Sequence, residues 1–330
     1  MSFDSCSRSA QCFRQALALA TSTLFFGTVV NAAPLAFVMN QGSSSVSVID
    51  TATDQVVRTL QGEGKLGTVN GAVANHAGTL LFIVDAKGGT VNVVDIATDK
   101  VRKQIAVGDG PEGIGISPSG NEIAACIEDD NRVTFIDAQK LTVTRRIATL
   151  GKNPEHCEFS SNGRWLLTSN ENSDDIDIID LRANKSVAVV KTSLHPRGIA
   201  FLPNRDVAYV AAEGANVVDI LDVGKRKIMR SLPGQLRPAG AIASADGKLV
   251  YITNGGAGSV SVIDVASEKS VAEIPVGKRP WNSALTHDGK KLYVPNGRSN
   301  SISVIDTAKR RVIKEIAVGK LPWGVIVSGN

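Results

Sequence analysis

Four residues in the first two thirds of the chain carry chemistry that a packed core does not need: Glu112, Glu155, His156 and His195. A histidine flanked by carboxylates can hold a metal ion or act as a general base. Further along come Arg197, Arg237, Arg279 and Arg298, with Trp281 and Trp323 among them. Guanidinium beside indole is the composition of an anchor on a binding surface. Neither the spacing nor any repetition of Glu112, Glu155, His156 and His195 demands a metal, which leaves them weak ligand candidates. No H-E-x-x-H, nucleophile elbow, P-loop or dinucleotide fingerprint occurs, so no cofactor is expected and catalysis is the second choice. Residues this far apart form a site only if the fold gathers them.

The gathering element is an internal repeat. The phrase V-x-V-I-D recurs with aspartates at 50, 95, 137, 180, 222, 264 and 306, at spacings of 45, 42, 43, 42, 42 and 42 residues. A fixed period of this length is the mark of a repeat architecture. One full copy holds WNSALT (281–286), KLYVPN (291–296), SISVID (301–306) and RVIKEIAV (311–318), each with strand character. Glycine turns such as HDG (287–289) separate the first pair, and the repeated aspartate opens a turn after the third strand. Four antiparallel strands every ~40–45 residues predict an all-β, seven-bladed β-propeller. LAFVMN (35–40) corresponds to a second strand and PWGVIV (322–327) to a first. Their pairing would complete the seventh blade and remove two open sheet edges.

Aligning the copies on the glycine turn places Asn70, Glu112, Glu155, Arg197, Ala239, Trp281 and Trp323 at one position, expected to ring the mouth of the central channel. The next position reads Gly71, Gly113, His156, Gly198, Gly240, Asn282 and Gly324; glycine suits crowding at the axis, and His156 and Asn282 break the pattern. The loops on this face vary while those on the other repeat, which makes the variable face the expected recognition surface. Loop acids Glu128, Asp129, Asp130, Glu171, Asp174 and Asp175 fall on one side of the ring, and Arg197, Arg237, Lys278, Arg279, Arg298 and Lys320 on the other, so an electrically split face is expected. Such a field suits oriented docking of a partner protein or ligand. Charged loops are commonly just solvated, and the tryptophans could equally pack between blades. Trp165, within RWLLTS, is expected in the core.

The segments LYVPN (292–296) and VYITN (250–254), each followed by VSVID or ISVID, resemble the YVTN-type β-propeller repeat family over essentially all of the chain after residue 34. NGRSNSISVID (296–306) through VGKLPWGV (318–325) is especially similar to exported bacterial propellers found beside quinoprotein alcohol-oxidation systems. The resemblance implies a non-catalytic binding or scaffold protein, with lactonase activity at the channel mouth as the enzymatic alternative.

Arg8 and Arg14 precede the apolar run 16–30, and Asn31-Ala32-Ala33 follows, the layout of a secretory signal over residues 1–33. The rest, 34–330, is then one exported domain, periplasmic or secreted, expected as a monomer with no membrane span. A net charge of +4 over 330 residues selects no partner class by itself. A basic, tryptophan-bearing sector could stack exposed bases, but beside an acidic sector in an exported protein, nucleic acid is a poor third choice. Cys126 and Cys157 lie in apolar strand segments and are expected as buried core residues; export leaves their pairing open.

Overall fold

The computed structural model describes residues 34–328, together with Met1. The secretory-signal expectation for residues 1–33 lies outside the described residues. Seven four-stranded antiparallel sheets form the ring, as the repeat predicts. Blade 1 is built from both ends of the chain: Pro322–Val327 pairs with Leu35–Asn40, in register Ala36 with Val327 and Val38 with Val325, followed by Ser45–Asp50 and Gln55–Leu60. Blades 2 to 6 run in chain order, with inner strands Val69–Ala74, Pro111–Ile116, Pro154–Phe159, Pro196–Phe201 and Pro238–Ala243. In blade 7 the expected inner strand shrinks to Ala284–Leu285, with isolated bridges from Pro280 to Asn296 and from Asn282 to Gly324. Asn282, standing where five of the other blades have glycine, turns its carbonyl to the Val325 amide at 3.0 Å and so ties blade 7 to blade 1.

The repeated residues do the structural work their chemistry allows. Asp50 Oδ1 accepts from the amides of Ala52 and Thr53 at 2.8 and 3.0 Å, and Asp137 and Asp180 do the same in their blades. The asparagine that closes the second strand is an internal peg: Asn296 Nδ2 donates to Ser301 Oγ and Ser303 Oγ, and Asn254 and Asn40 repeat the pattern. Alternate apolar residues of adjacent sheets meet between blades. Phe135, Val133 and Ala124 of blade 3, for example, pack on Phe159, Leu166 and Ile179 of blade 4.

Cys126 and Cys157 meet in that same layer and are bridged, with Cα atoms 5.9 Å apart. Core burial was correctly expected. The pairing is decided by two neighbouring sheets turning these faces toward each other, which the repeat alone does not reveal.

Candidate functional site

The inner strands share a local irregularity that aims the mouth residues. Each of blades 2 to 6 shifts register just after its first strand residue, between Val69 and Ala72, Pro111 and Ile114, Pro154 and His156, Pro196 and Ile199, and Pro238 and Ala241. A bulge re-aims the side chain it contains. Here it carries Asn70, Glu112, Glu155, Arg197 and Ala239. The residue before the proline takes a left-handed backbone in several blades, among them His195 at φ 59°, Arg237 at φ 56° and Arg279 at φ 56°. That conformation is uncommon for residues with side chains and recurs at sites where direction matters.

Arg197, only 8% exposed, is the centre of the mouth. It pairs with Glu155, with Glu171 at 2.6 Å and with Glu213 at 3.2 Å. Glu213 in turn receives Arg237 at 2.6 Å and Arg279 at 2.9 Å. His195 Nε2 stands 2.9 Å from Glu171. The Arg279 guanidinium lies 4.2 Å from the Trp281 ring centre and Arg197 lies 5.0 Å from it. Trp281 stacks on Trp323, and Trp323 on His156, at 6.4 and 5.9 Å between ring centres. Because Trp323 belongs to blade 1 and His156 to blade 4, this stack crosses the channel. Asn70 accepts a hydrogen bond from Gln41 at 2.8 Å.

Five carboxyls, Glu112, Glu128, Glu155, Glu171 and Glu213, thus crowd against three guanidiniums. Burial pushes Glu112 upward despite Arg197, and the same burial, reinforced by Glu112 and Glu171, holds Glu155 well above the carboxylate range. Glu128 rises to about 8, through burial and then the charge of Glu112. Glu213 goes the other way: burial opposes it, but Arg197 and Arg279 outweigh that and lower it. Burial alone would lower the Arg197 guanidinium; Glu155 and Glu171 keep it above its ordinary range. Glu128 therefore keeps its proton at neutral pH, which lightens the surplus of negative charge around the three guanidiniums.

The expected division into acidic and basic sectors is thus not what the mouth displays, since its two signs meet and compensate. His156, flanked by burial and Arg197, is pushed down to about 3, which makes it a poor base near neutrality. Glu171, His195 and Glu213 bring ligand-type atoms within 4.8 Å of one another. The Arg197 guanidinium already contacts both carboxylates of that trio, in the place a cation would take. Arg298 stands apart from the mouth, exposed, in a groove of about 600 Å³ with Lys278, Arg237 and Arg279.

Glu213 is the hub that sequence reasoning missed. The residue directly after each second strand reads Gln41, Ala86, Glu128, Glu171, Glu213, Gly255 and Gly297, a second ring facing the first. The glycines are as informative as the acids. A Cβ at Gly297 would lie 2.6 Å from Trp281 Nε1 and one at Gly255 2.9 Å from an Arg279 nitrogen, so glycine leaves room for exactly those side chains.

Fold and site together define a seven-bladed β-propeller with an ionic and aromatic mouth. A family model described as "Lactonase, 7-bladed beta-propeller" matches residues 179–316. No curated protein matches the chain. Among solved structures, a chain of Kuenenia stuttgartiensis hydrazine synthase is similar at 25% identity and a TM-score of 0.74, over 82% of this chain and 92% of that one. A functionally unknown protein from Desulfotomaculum acetoxidans DSM 771 superposes with a TM-score of 0.77 at 14% identity, over 90% and 99%. Dihydro-heme d1 dehydrogenase NirN in complex with DHE follows at 0.67 and 16%, over 89% and 75%. The last two likenesses are of fold.

Proposed function

We propose that this chain is an exported, non-catalytic binding propeller whose variable face docks a protein partner bearing acidic and apolar surface. One observation carries the proposal: the loops that link one blade to the next expose Leu150, Leu194, Leu236 and Leu321, at 63, 59, 54 and 47%, on the face that also bears Lys278, Arg298 and Lys320. Those three cations form no ion pair among the described residues, whereas the mouth they surround is compensated internally. Leucine beside uncommitted positive charge is interface composition, the apolar area supplying affinity and the charge supplying orientation. The mouth cluster then acts as the rigid floor of this surface. Export is supported by the layout of residues 1–33 and by a disulfide suited to an oxidising compartment. The protein acts as a monomer in this reading.

The test is cross-linking capture from the native exported fraction, comparing the wild type with Lys278→Glu/Arg298→Glu and with Leu236→Ser/Leu321→Ser. A partner held by the wild type, lost in both variants and weakened by salt supports the reading. A partner retained by both places the contact elsewhere.

The partial match to lactonase propellers supports a second reading, hydrolysis at the mouth, with a protonated carboxyl such as Glu128 as the acid. Turnover of a lactone by the wild type, abolished by Glu128→Gln at unchanged stability, would favour it.

A further inference from the structure

Below the Trp323–His156 stack the channel is not filled. A cavity of about 310 Å³ runs along the bore from those rings to Pro203, in the turn that follows the inner strand of blade 5. At ~30 Å³ for each water, this is space for roughly ten water-sized groups. Its wall is mostly small or aliphatic: Gly113, Ile114, Ala200 and Ala243 are typical. Two aromatic residues, Trp323 and Phe201, also line it.

Into this bore the chain places one carboxyl, Glu158, for which there is no hydrogen-bond or ion-pair partner among the described residues. An unpaired carboxyl in such surroundings is costly, and propeller geometry does not require it, because Ala200 and Ile242, at the corresponding position of the next two blades, line the same bore. Ser283 Oγ, shielded and without a partner, borders the same space. Among the lining residues His156, on the same strand, is the other group able to titrate, and it is held neutral; Arg197, at the mouth beyond it, is committed to Glu155, Glu171 and Glu213. Glu112 from blade 3 and Glu155 from blade 4 face the mouth, and among the described residues no further charged side chain comes from the inner strands around the bore.

We propose that the bore is a binding site for a small organic cation, an ammonium with an apolar body, whose charge is met by Glu158 and whose body rests against Trp323, Phe201 and the aliphatic wall. A carboxylate set among aromatic rings is the combination that recognises alkylammonium groups in water. Burial lifts Glu158 to about 8, so near neutrality the carboxyl holds a proton. The cation must therefore displace a proton. Affinity rises with pH, about tenfold per unit, until the carboxyl is ionised without help.

Tetramethylammonium, whose charge does not titrate, is the probe, measured by calorimetry between pH 6 and 9 on the folded, disulfide-intact chain. Saturable binding that strengthens up to about pH 8, is at least tenfold weaker in Glu158→Gln, and exceeds that of tert-butyl alcohol supports the site. Equal binding by Glu158→Gln, equal binding of the neutral alcohol, or no saturable binding overturns it. Should Glu158→Gln fail to fold, the pH profile of the wild type decides: a flat or falling affinity overturns the proposal.

Discussion

Replacing Glu158 by glutamine removes a charge that the fold opposes and keeps the shape that it accepts, so the variant is expected to be more stable than the wild type. An unfolded glutamate ionises at about its ordinary 4.5, while burial holds the folded one near 8. Between these values the folded chain binds a proton that the unfolded chain has released, so the wild type loses stability as pH rises through that window. At 1.36 kcal/mol per unit, the accumulated cost is about 1 kcal/mol at pH 5, about 3 at pH 7 and about 5 at pH 9. Glutamine carries none of this pH dependence. Urea denaturation at those three pH values, with the disulfide intact and equal slopes required of both proteins, reads the difference directly. A stability gap that widens by roughly 4 kcal/mol from pH 5 to pH 9 is the expected result. A gap that stays constant would mean that Glu158 is ionised at no cost, and the account of the bore as a desolvated space would fall.

Arg197→Met leaves Glu155, Glu171 and Glu213 without their shared counter-charge and is expected to cost about 3–5 kcal/mol at pH 8 by urea titration. The deficit should shrink toward pH 5, because carboxyls deprived of the guanidinium take up protons there; a deficit independent of pH would refute the assigned charge balance. Reducing the Cys126–Cys157 bridge, which closes a separation of 31 residues, should remove about 4 kcal/mol of stability, seen as a lower urea midpoint in dithiothreitol. Ending the chain at Gly319 removes the strand that completes blade 1, including buried Trp323 and Val325 at roughly 1.5–3 kcal/mol each, and should abolish a single cooperative melt. An unchanged melting curve for the truncated chain would contradict ring closure.

The fold was legible in the sequence because a propeller repeats its instructions. Each copy states its own strands by alternation, its turns by glycine and aspartate, and its inter-strand peg by asparagine, so seven agreeing copies leave little freedom. Even the closure could be read, since a first strand at one end answers a second strand at the other. The ring of Asn70, Glu112, Glu155, Arg197, Trp281 and Trp323 followed from the same register. Where the register breaks, as at Asn282, the sequence marks the departure but not its form, which is a shortened strand and a bridge to Gly324.

Position around the axis is thus written in the repeat, because position is periodic. Contact was decided by tertiary structure. Glu213 and Arg279 stand 66 residues apart, and only the small radius of the channel brings them to 2.9 Å. The same crowding joins Trp323 to His156 across the bore, pairs Cys126 with Cys157 between adjacent sheets, and cancels charges that sequence alone assigns to opposite sectors. Low dielectric then turns those contacts into raised or lowered proton affinities. That is the physical reason the chemistry of this mouth could be located from the repeat but not worked out from it.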